Sequence, residues 1–471
     1  MTPELPFLTL VEVAEAIAVR KVSSEEVVRA CLERIDRLDP QLHFFIWWER
    51  EEALRAAREA DARVARGETL GPLHGVPLAH KDMFYVAGKL ATCGSKIRKD
   101  FRPSYTATVM ERLAAAGAIH LGGLAMVEWA MGPHGFNAHL EQCRNPWNPE
   151  HIPCGSSSGS GVGVGARAVY AALGSDTGGS IRCPAAVSGV VGICPTYGRV
   201  SRHGMMPMSF SLDCGGPLAR TVRDCARMLR IIAGADPRDA SCSTEPVPAY
   251  EAALDGDLRG VRVGVPTTYF YDGVVDEVGR ALAASLDVLA KLGANIVHLP
   301  MPASLFEVAE LHPLIAKAEG AANHAAWMRE RGPEYSDQVR NRLQAGFFVP
   351  ATDYIQALKV RGRLLEDFTT SVFDRVDVLH TPVLPMPVPK ITETMPSSGP
   401  AYLDMVVSLT RNTKVTNYLG VPAMSVPCGF SQSGLPIAFQ LIGRPFAERR
   451  LFEVGHAYES ATEWHLMAPS I

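Results

Sequence analysis

Residues 154–182 constrain this chain more than any other stretch. Cys154-Gly155-Ser156-Ser157-Ser158-Gly159-Ser160 and Ser175-Asp176-Thr177-Gly178-Gly179-Ser180-Ile181-Arg182 are two glycine- and serine-rich turns, joined by a small-residue run from Gly161 to Gly174. Glycine lets a backbone adopt left-handed or crowded conformations and approach a ligand closely. Hydroxyls beside such turns serve as nucleophiles, proton carriers or helix caps. Two of them so near one another point to a built site rather than to a linker.

Around that stretch the pattern alternates between short apolar strands and longer helices. Residues 9–66 read as helical, with Ser23-Ser24-Glu25-Glu26 opening one helix through a serine cap and acidic first-turn residues. Strands are expected at Val76–Ala79, Ala118–Leu121, Val190–Cys194, Val261–Val265, Ala294–His298, Val376–Leu379, Ala423–Val426 and Ile437–Ile442. Helices are expected at Thr108–Ala116, Asp276–Leu292 and Arg449–Trp464, with a helical turn at Leu124–Trp129. Such alternation predicts an α/β fold, a mixed twisted sheet covered by helices on both faces. We read residues 1–471 as one large domain, with residues 1–66 as an N-terminal helical flank and 75–220 as the core segment. Gly198–Gly216 and Pro382–Pro400, rich in Pro, Met, Ser and Gly, read as long surface loops able to cover a site.

Composition narrows the class of function. A net charge of −4 with scattered basic residues gives no electrostatic case for nucleic acid or an anionic membrane. The first residues lack a basic and apolar leader. No apolar run approaches the roughly 20 residues of a membrane span. The ten cysteines include no CxxC pair and no zinc-spaced cluster, and read as buried thiols in a reducing compartment. The expectation is a cytoplasmic protein, monomer or homodimer, without metal or cofactor.

Several motifs compete for the chemistry. Gly155-Ser156-Ser157-Ser158-Gly159 fits the GxSxG nucleophile elbow with Ser157 central, but a proline-broken loop, Asn145 to Pro153, precedes it where the elbow needs a strand. Gly161 to Ala166 can be laid on a dinucleotide-binding pattern, yet no strand feeds it, and small residues for close helix packing explain it better. Lys81 ends an apolar strand, where desolvation turns a lysine toward a base; adjacent His80 must face the other way. Asp176 and Arg182 read as an ion pair bracing the turn between them. Thr177 to Ser180 would present backbone N–H groups just before a helix beginning near Ile181, which suits a developing oxyanion. Ser180 is either that helix's cap or a nucleophile held against those donors.

Together these pieces resemble the amidase signature family. Its segments read approximately GGSSGGS, GTDTGGSIRxPA and GLKPTYGRVS; this chain has CGSSSGS, ALGSDTGGSIRCPAA and GICPTYGRVS. The likeness extends from GVPLAHKDMFYVAGKLATCGS at 75–95 to NYLGVPAMSVPCGFSQSGLPIAFQLIGRP at 417–445. Cys154, Ser158 and Cys194 depart from the family's residues. The resemblance implies a Ser–cis-Ser–Lys triad of Ser180, Ser156 and Lys81, an oxyanion hole from the N–H groups of Thr177, Gly178, Gly179 and Ser180, and support from Asp176, Arg182 and Ser157.

For the substrate, Met205, Met206, Met208 and Phe210, with Met126, Trp129 and Met131, suggest an adaptable apolar lining. The leading expectation is therefore an amidohydrolase for small apolar or aromatic amides and anilides. Aryl carbamates or esters are an alternative for the same triad, and a non-catalytic binding subunit is a third. The family's glutamine-using tRNA amidotransferase subunit carries an acid in a D-x-x-T element; here Thr410-Arg411-Asn412-Thr413 has none, which sets that alternative behind a hydrolase acting alone.

Overall fold

Alternating strands and helices resolve into one mixed sheet in the computed structural model, which describes residues 4–394 and 400–471. In chain order its strands are β1 (Phe45–Trp48), β2 (Pro77–Lys81), β3 (Ile119–Leu124), β4 (Ala171–Asp176), β5 (Val191–Cys194), β6 (Cys214–Ala219), β7 (Arg262–Pro266), β8 (Asn295–Leu299), β9 (Val378–Pro382), β10 (Ala423–Phe430) and β11 (Pro436–Ile442). Among the described residues they lie in the order β1-β3-β2-β4-β6-β5-β10-β11-β9-β7-β8. β2 pairs in parallel with β3 and β4, and β7 with β8 and β9; the other pairs are antiparallel. Every residue of β2, β4, β5, β6, β9 and β11 is buried, as strands covered on both faces must be, whereas edge strand β8 buries only Leu299. The expected α/β architecture, with helices on both faces of the sheet, is the one observed.

Local chemistry explains the helix starts. Ser23 caps the helix Ser24–Leu42 in a reciprocal box with Glu26, and Thr9 caps Leu10–Ala18 with Glu12 in the same way. The stretch expected to be wholly helical, 9–66, is interrupted by β1, whose Phe-Ile-Trp-Trp side chains suit a pleated surface; it pairs antiparallel with β3. Leu124 ends β3 instead of starting a helical turn, and the turn itself is limited to Glu128–Ala130. Helices Ser304–Arg331, Asp337–Gly346 and Ala351–Phe373 stand where the pattern predicted none. Pro313 lies inside the first, and Ala351–Phe373 buries only five residues, so the apolar period is weak.

Of the two long loops, 198–216 ends in β6, and its Met205 forms an antiparallel bridge with Phe84 beyond β2. In the second, Ile391–Thr394 makes one tight turn; residues 395–399 of that expected loop lie outside the described residues. None of the described helices is long and apolar enough to cross a membrane.

The glycine run forms the helix Ser158–Gly165. A Cβ on Gly159 would lie 2.3 Å from the Phe44 carbonyl oxygen, and one on Gly161 would lie 2.8 Å from that of Pro184. The glycines thus let this helix lie against β4, β3 and the neighbouring helix Arg182–Ser188, bringing the two turns together.

Candidate active site

β2 and β4 run parallel, with Ala79 opposite Ala172 and His80 opposite Leu173. Alternation then separates the two residues at the end of β2. His80 turns to the side of Trp47 and lies 2.7 Å from His120. Lys81, fully buried, turns the other way and donates to Ser156 Oγ (2.7 Å) and Ser175 Oγ (2.8 Å). Burial lowers the Lys81 pKa to about 7, against the pull of the Asp213 and Asp176 carboxylates. Ser156 follows a cis peptide bond from Gly155. Ser175 was not anticipated as a site residue: the sequence places it at the start of the second turn, and β4, which sets it beside Lys81, was not among the expected strands.

Ser180 sits in the turn after β4. It is partly exposed where the other two members are buried, and it borders a cavity of about 450 Å³ together with Gly155, Thr177, Gly178 and Gly179. Its carbonyl accepts from the Ser157 N–H (3.3 Å), which ties the two turns to each other. Among the described residues its hydroxyl has no hydrogen-bond partner. Ser157 is wholly buried, donates to the Ser175 carbonyl (3.2 Å) and does not reach the cavity, so the elbow arrangement is absent.

The turn 176–180 is clamped from every side. The Asp176 carboxylate accepts from the N–H of Gly179 (2.6 Å) and Ile181 (3.1 Å) and from the Arg182 guanidinium (3.0 Å). Burial pushes the Asp176 pKa up, but Arg182 outweighs it and holds it at about 2. Arg182, itself without exposed surface, also donates to Thr416 Oγ1, Gln440 Oε1, the Thr413 carbonyl and Asn417 Oδ1. Thr413 Oγ1 donates to the Gly178 carbonyl (2.6 Å), Thr177 Oγ1 to Asp213 (2.6 Å), and His312 Nε2 lies 2.8 Å from the Thr177 carbonyl. The expected brace between Asp176 and Arg182 is therefore present, within a network whose other members had no motif to mark them.

Two expectations change. Of the four N–H groups assigned to an oxyanion hole, that of Gly179 is turned onto Asp176, because the carboxylate needs that donor once buried. Those of Thr177, Gly178 and Ser180 have no partner among the described residues. Of the seven residues assigned to an apolar lining, only Met131 and Met208 border the cavity. Trp129 stacks on Trp327, and Met206 Sδ accepts from the Tyr85 hydroxyl. Met205 bridges Phe84, and the Met126 carbonyl accepts from Asn137, while Phe210 points outward with 47% of its surface exposed. The cavity's far side is instead formed by helices Ser304–Arg331, Asp337–Gly346 and Pro400–Leu419, which contribute His312, Lys317, Arg342 and Lys414.

A buried lysine joined to a serine lies beside a second serine open to a cavity; the amidase family model matches residues 26–452, and the chain belongs to that family. The A-subunit of glutamyl-tRNA(Gln) amidotransferase from Azotobacter vinelandii is 42% identical over 486 residues, covering 98% of this chain and 99% of that protein. Among solved structures, native peptide amidase from Stenotrophomonas maltophilia superposes with a TM-score of 0.85 at 30% identity, over 98% of each chain. An inhibitor-bound complex described in connection with the origins of an s-triazine catabolic enzyme gives 0.89 at 31%, over 96% of this chain and 98% of that one. The chain is an enzyme acting on amides.

Proposed function

We propose that this chain hydrolyses the C–N bond of a small amide through an acyl-enzyme on Ser180. The observation that carries the reading is the contact of buried Lys81 with Ser156, beside a cavity onto which Ser180 opens. A lysine with a pKa near 7 is half neutral at neutral pH, and a neutral amine can take a proton. In the forward step Ser180 Oγ bonds to the carbonyl carbon and its proton passes to Ser156, whose own proton passes to Lys81. The carbonyl electrons move onto oxygen, where the N–H groups of Thr177, Gly178 and Ser180 receive the charge; donors fixed in advance by the surrounding clamp cost no reorganisation. Collapse breaks the C–N bond as the relay returns a proton to the leaving nitrogen. Water, deprotonated by the same route, then releases the acid.

A second reading is favoured by the full-length relatives that carry the name of that amidotransferase component: the same chemistry applied to glutamine, within an assembly rather than as a monomer or homodimer. Against it stands Thr410 where the resemblance places an acid. Carbamates and esters share the tetrahedral chemistry; of the apolar side chains expected to line the cavity for small apolar or aromatic amides, Met131 and Met208 do so.

Purified wild type and Ser180→Ala are to be compared for ammonia release from short amides and glutamine, and for labelling by a fluorophosphonate. The wild type is expected to label at Ser180, and the variant to lose roughly 10³-fold or more of kcat. Labelling at Ser157, or undiminished turnover by the variant, would overturn the assignment.

A further inference from the structure

We propose that the cavity selects an amide bearing an anionic group, a carboxylate in the simplest case, and no ammonium, and that Lys414 is the residue that selects it. The inference rests on the hydrolytic reading above and adds the charge of its substrate.

Three cationic side chains, Lys317, Arg342 and Lys414, line the cavity, and no Asp or Glu does so among the described residues. A cavity shaped for neutral, apolar amides has no use for ammonium groups, which are strongly hydrated and resist being covered by a substrate. Lys414 is the one set against the reacting centre. Its Cβ lies 3.8 Å from where a Cβ on Gly178 would stand, and it follows Thr413, whose hydroxyl holds the Gly178 carbonyl. The same turn of helix Pro400–Leu419 therefore clamps the backbone donors and delivers a positive charge beside them.

Among the described residues that charge lacks a counter-ion. Lys414 is half-buried and, among the described residues, makes no ion pair and no side-chain hydrogen bond. Its neighbour Arg411 faces elsewhere, paired with Asp272 at 3.1 Å. The acid that acts on it, Glu310, is exposed, lies outside the cavity lining and is not within ion-pair distance. A half-buried ammonium in this position is satisfied by a ligand anion. The charge of Lys414 is felt at the oxyanion turn: burial first, then the charges of Lys414 and Arg342, lower the pKa of His312 to about 4, opposed by its bond to the Thr177 carbonyl and by the Asp176 carboxylate. A substrate ammonium would enter the same field with no carboxylate to receive it. Short dicarboxylic acid monoamides have the required charge. Their hydrolysis breaks C–N, forms C–O, takes up one water and releases ammonia; the anionic group is bound but not altered.

The test separates charge selection from chemistry. Ser180→Ala is titrated calorimetrically with glutaramate and succinamate, with neutral amides of equal length and with an ω-amino amide; kcat/KM for the same amides and glutamine is measured on wild type. Anionic amides are expected to bind, and to be turned over, about tenfold or more better than neutral ones, with the cationic amide worst. Lys414→Met and Lys414→Gln, built alone and on Ser180→Ala, should bring that ratio below about threefold, and Lys414→Arg should restore it. Raising ionic strength from about 0.05 to about 0.5 M should narrow it. Equal handling of anionic and neutral amides, a ratio unmoved by either Lys414 variant, or no binding of any anionic amide overturns the inference. Selective binding without ammonia release from wild type would instead refute the hydrolytic reading and leave the charge selection standing.

Discussion

Lys81 ends a strand whose every residue is buried, and its neighbours set its proton affinity in opposite directions. Burial lowers its pKa from the ordinary 10.5 to about 7, while Asp213 and Asp176 keep it from falling further. The folded chain therefore binds this proton more weakly than the unfolded chain, and the lysine's contribution to stability grows as pH rises between about 7 and 10.5. For catalysis the neutral form is the competent one. kcat/KM is expected to rise about tenfold per pH unit below about 7 and to level above it, and Lys81→Met should abolish that limb together with the activity. A profile flat from acid to neutral pH would remove Lys81 from the role of base. This residue was legible in the sequence because an apolar run leading into a lone lysine is unusual. Ser175, bonded to the same amine, was not, since a serine inside a strand carries no signal until the register of β2 against β4 is known.

Among the elements, the helix Ser158–Gly165 shows why small residues crowd this stretch. Around Gly159 the close atoms are backbone: the Phe44 carbonyl at 2.3 Å and the Ala125 nitrogen at 2.5 Å from a would-be Cβ. Those two groups are bonded to each other at 2.9 Å and cannot step aside. Gly159→Ala is expected to destabilise by about 1–3 kcal/mol or more. Gly362, inside helix Ala351–Phe373 with nothing within 4 Å, should gain up to about 1 kcal/mol as alanine. Denaturant titrations of the two variants beside wild type check both signs. Here the sequence was informative, since only close packing or a ligand explains so many glycines. It was silent on the three helices between residues 304 and 373, where a proline within one helix and sparse burial in another blur the apolar period, and so Lys317 and Arg342 went unnoticed.

Across the whole molecule the site is a convergence of distant chain segments on one guanidinium. Arg182 binds Asp176 nearby, then Thr413, Thr416 and Asn417, then Gln440 on β11. Arg182→Met would leave the Asp176 carboxylate buried without its cation and is expected to cost about 3–5 kcal/mol, read as a lowered unfolding midpoint. An unchanged midpoint would show that water or rearrangement replaces the pair. The motif around Arg182 announced the ion pair but not its remaining partners, because Thr, Asn and Gln are chemically unremarkable in a sequence until the fold brings them within reach of a donor. The separation of those partners also orders events in time. At roughly 5–20 residues per second, a ribosome that has made Arg182 needs about 13–50 s more to reach Gln440. Throughout that interval the turn bearing Ser180 lacks its outer bonds. The nascent chain thus cannot complete the clamp behind the Ser180 turn until Gln440 has been made, however early the turn itself is synthesised.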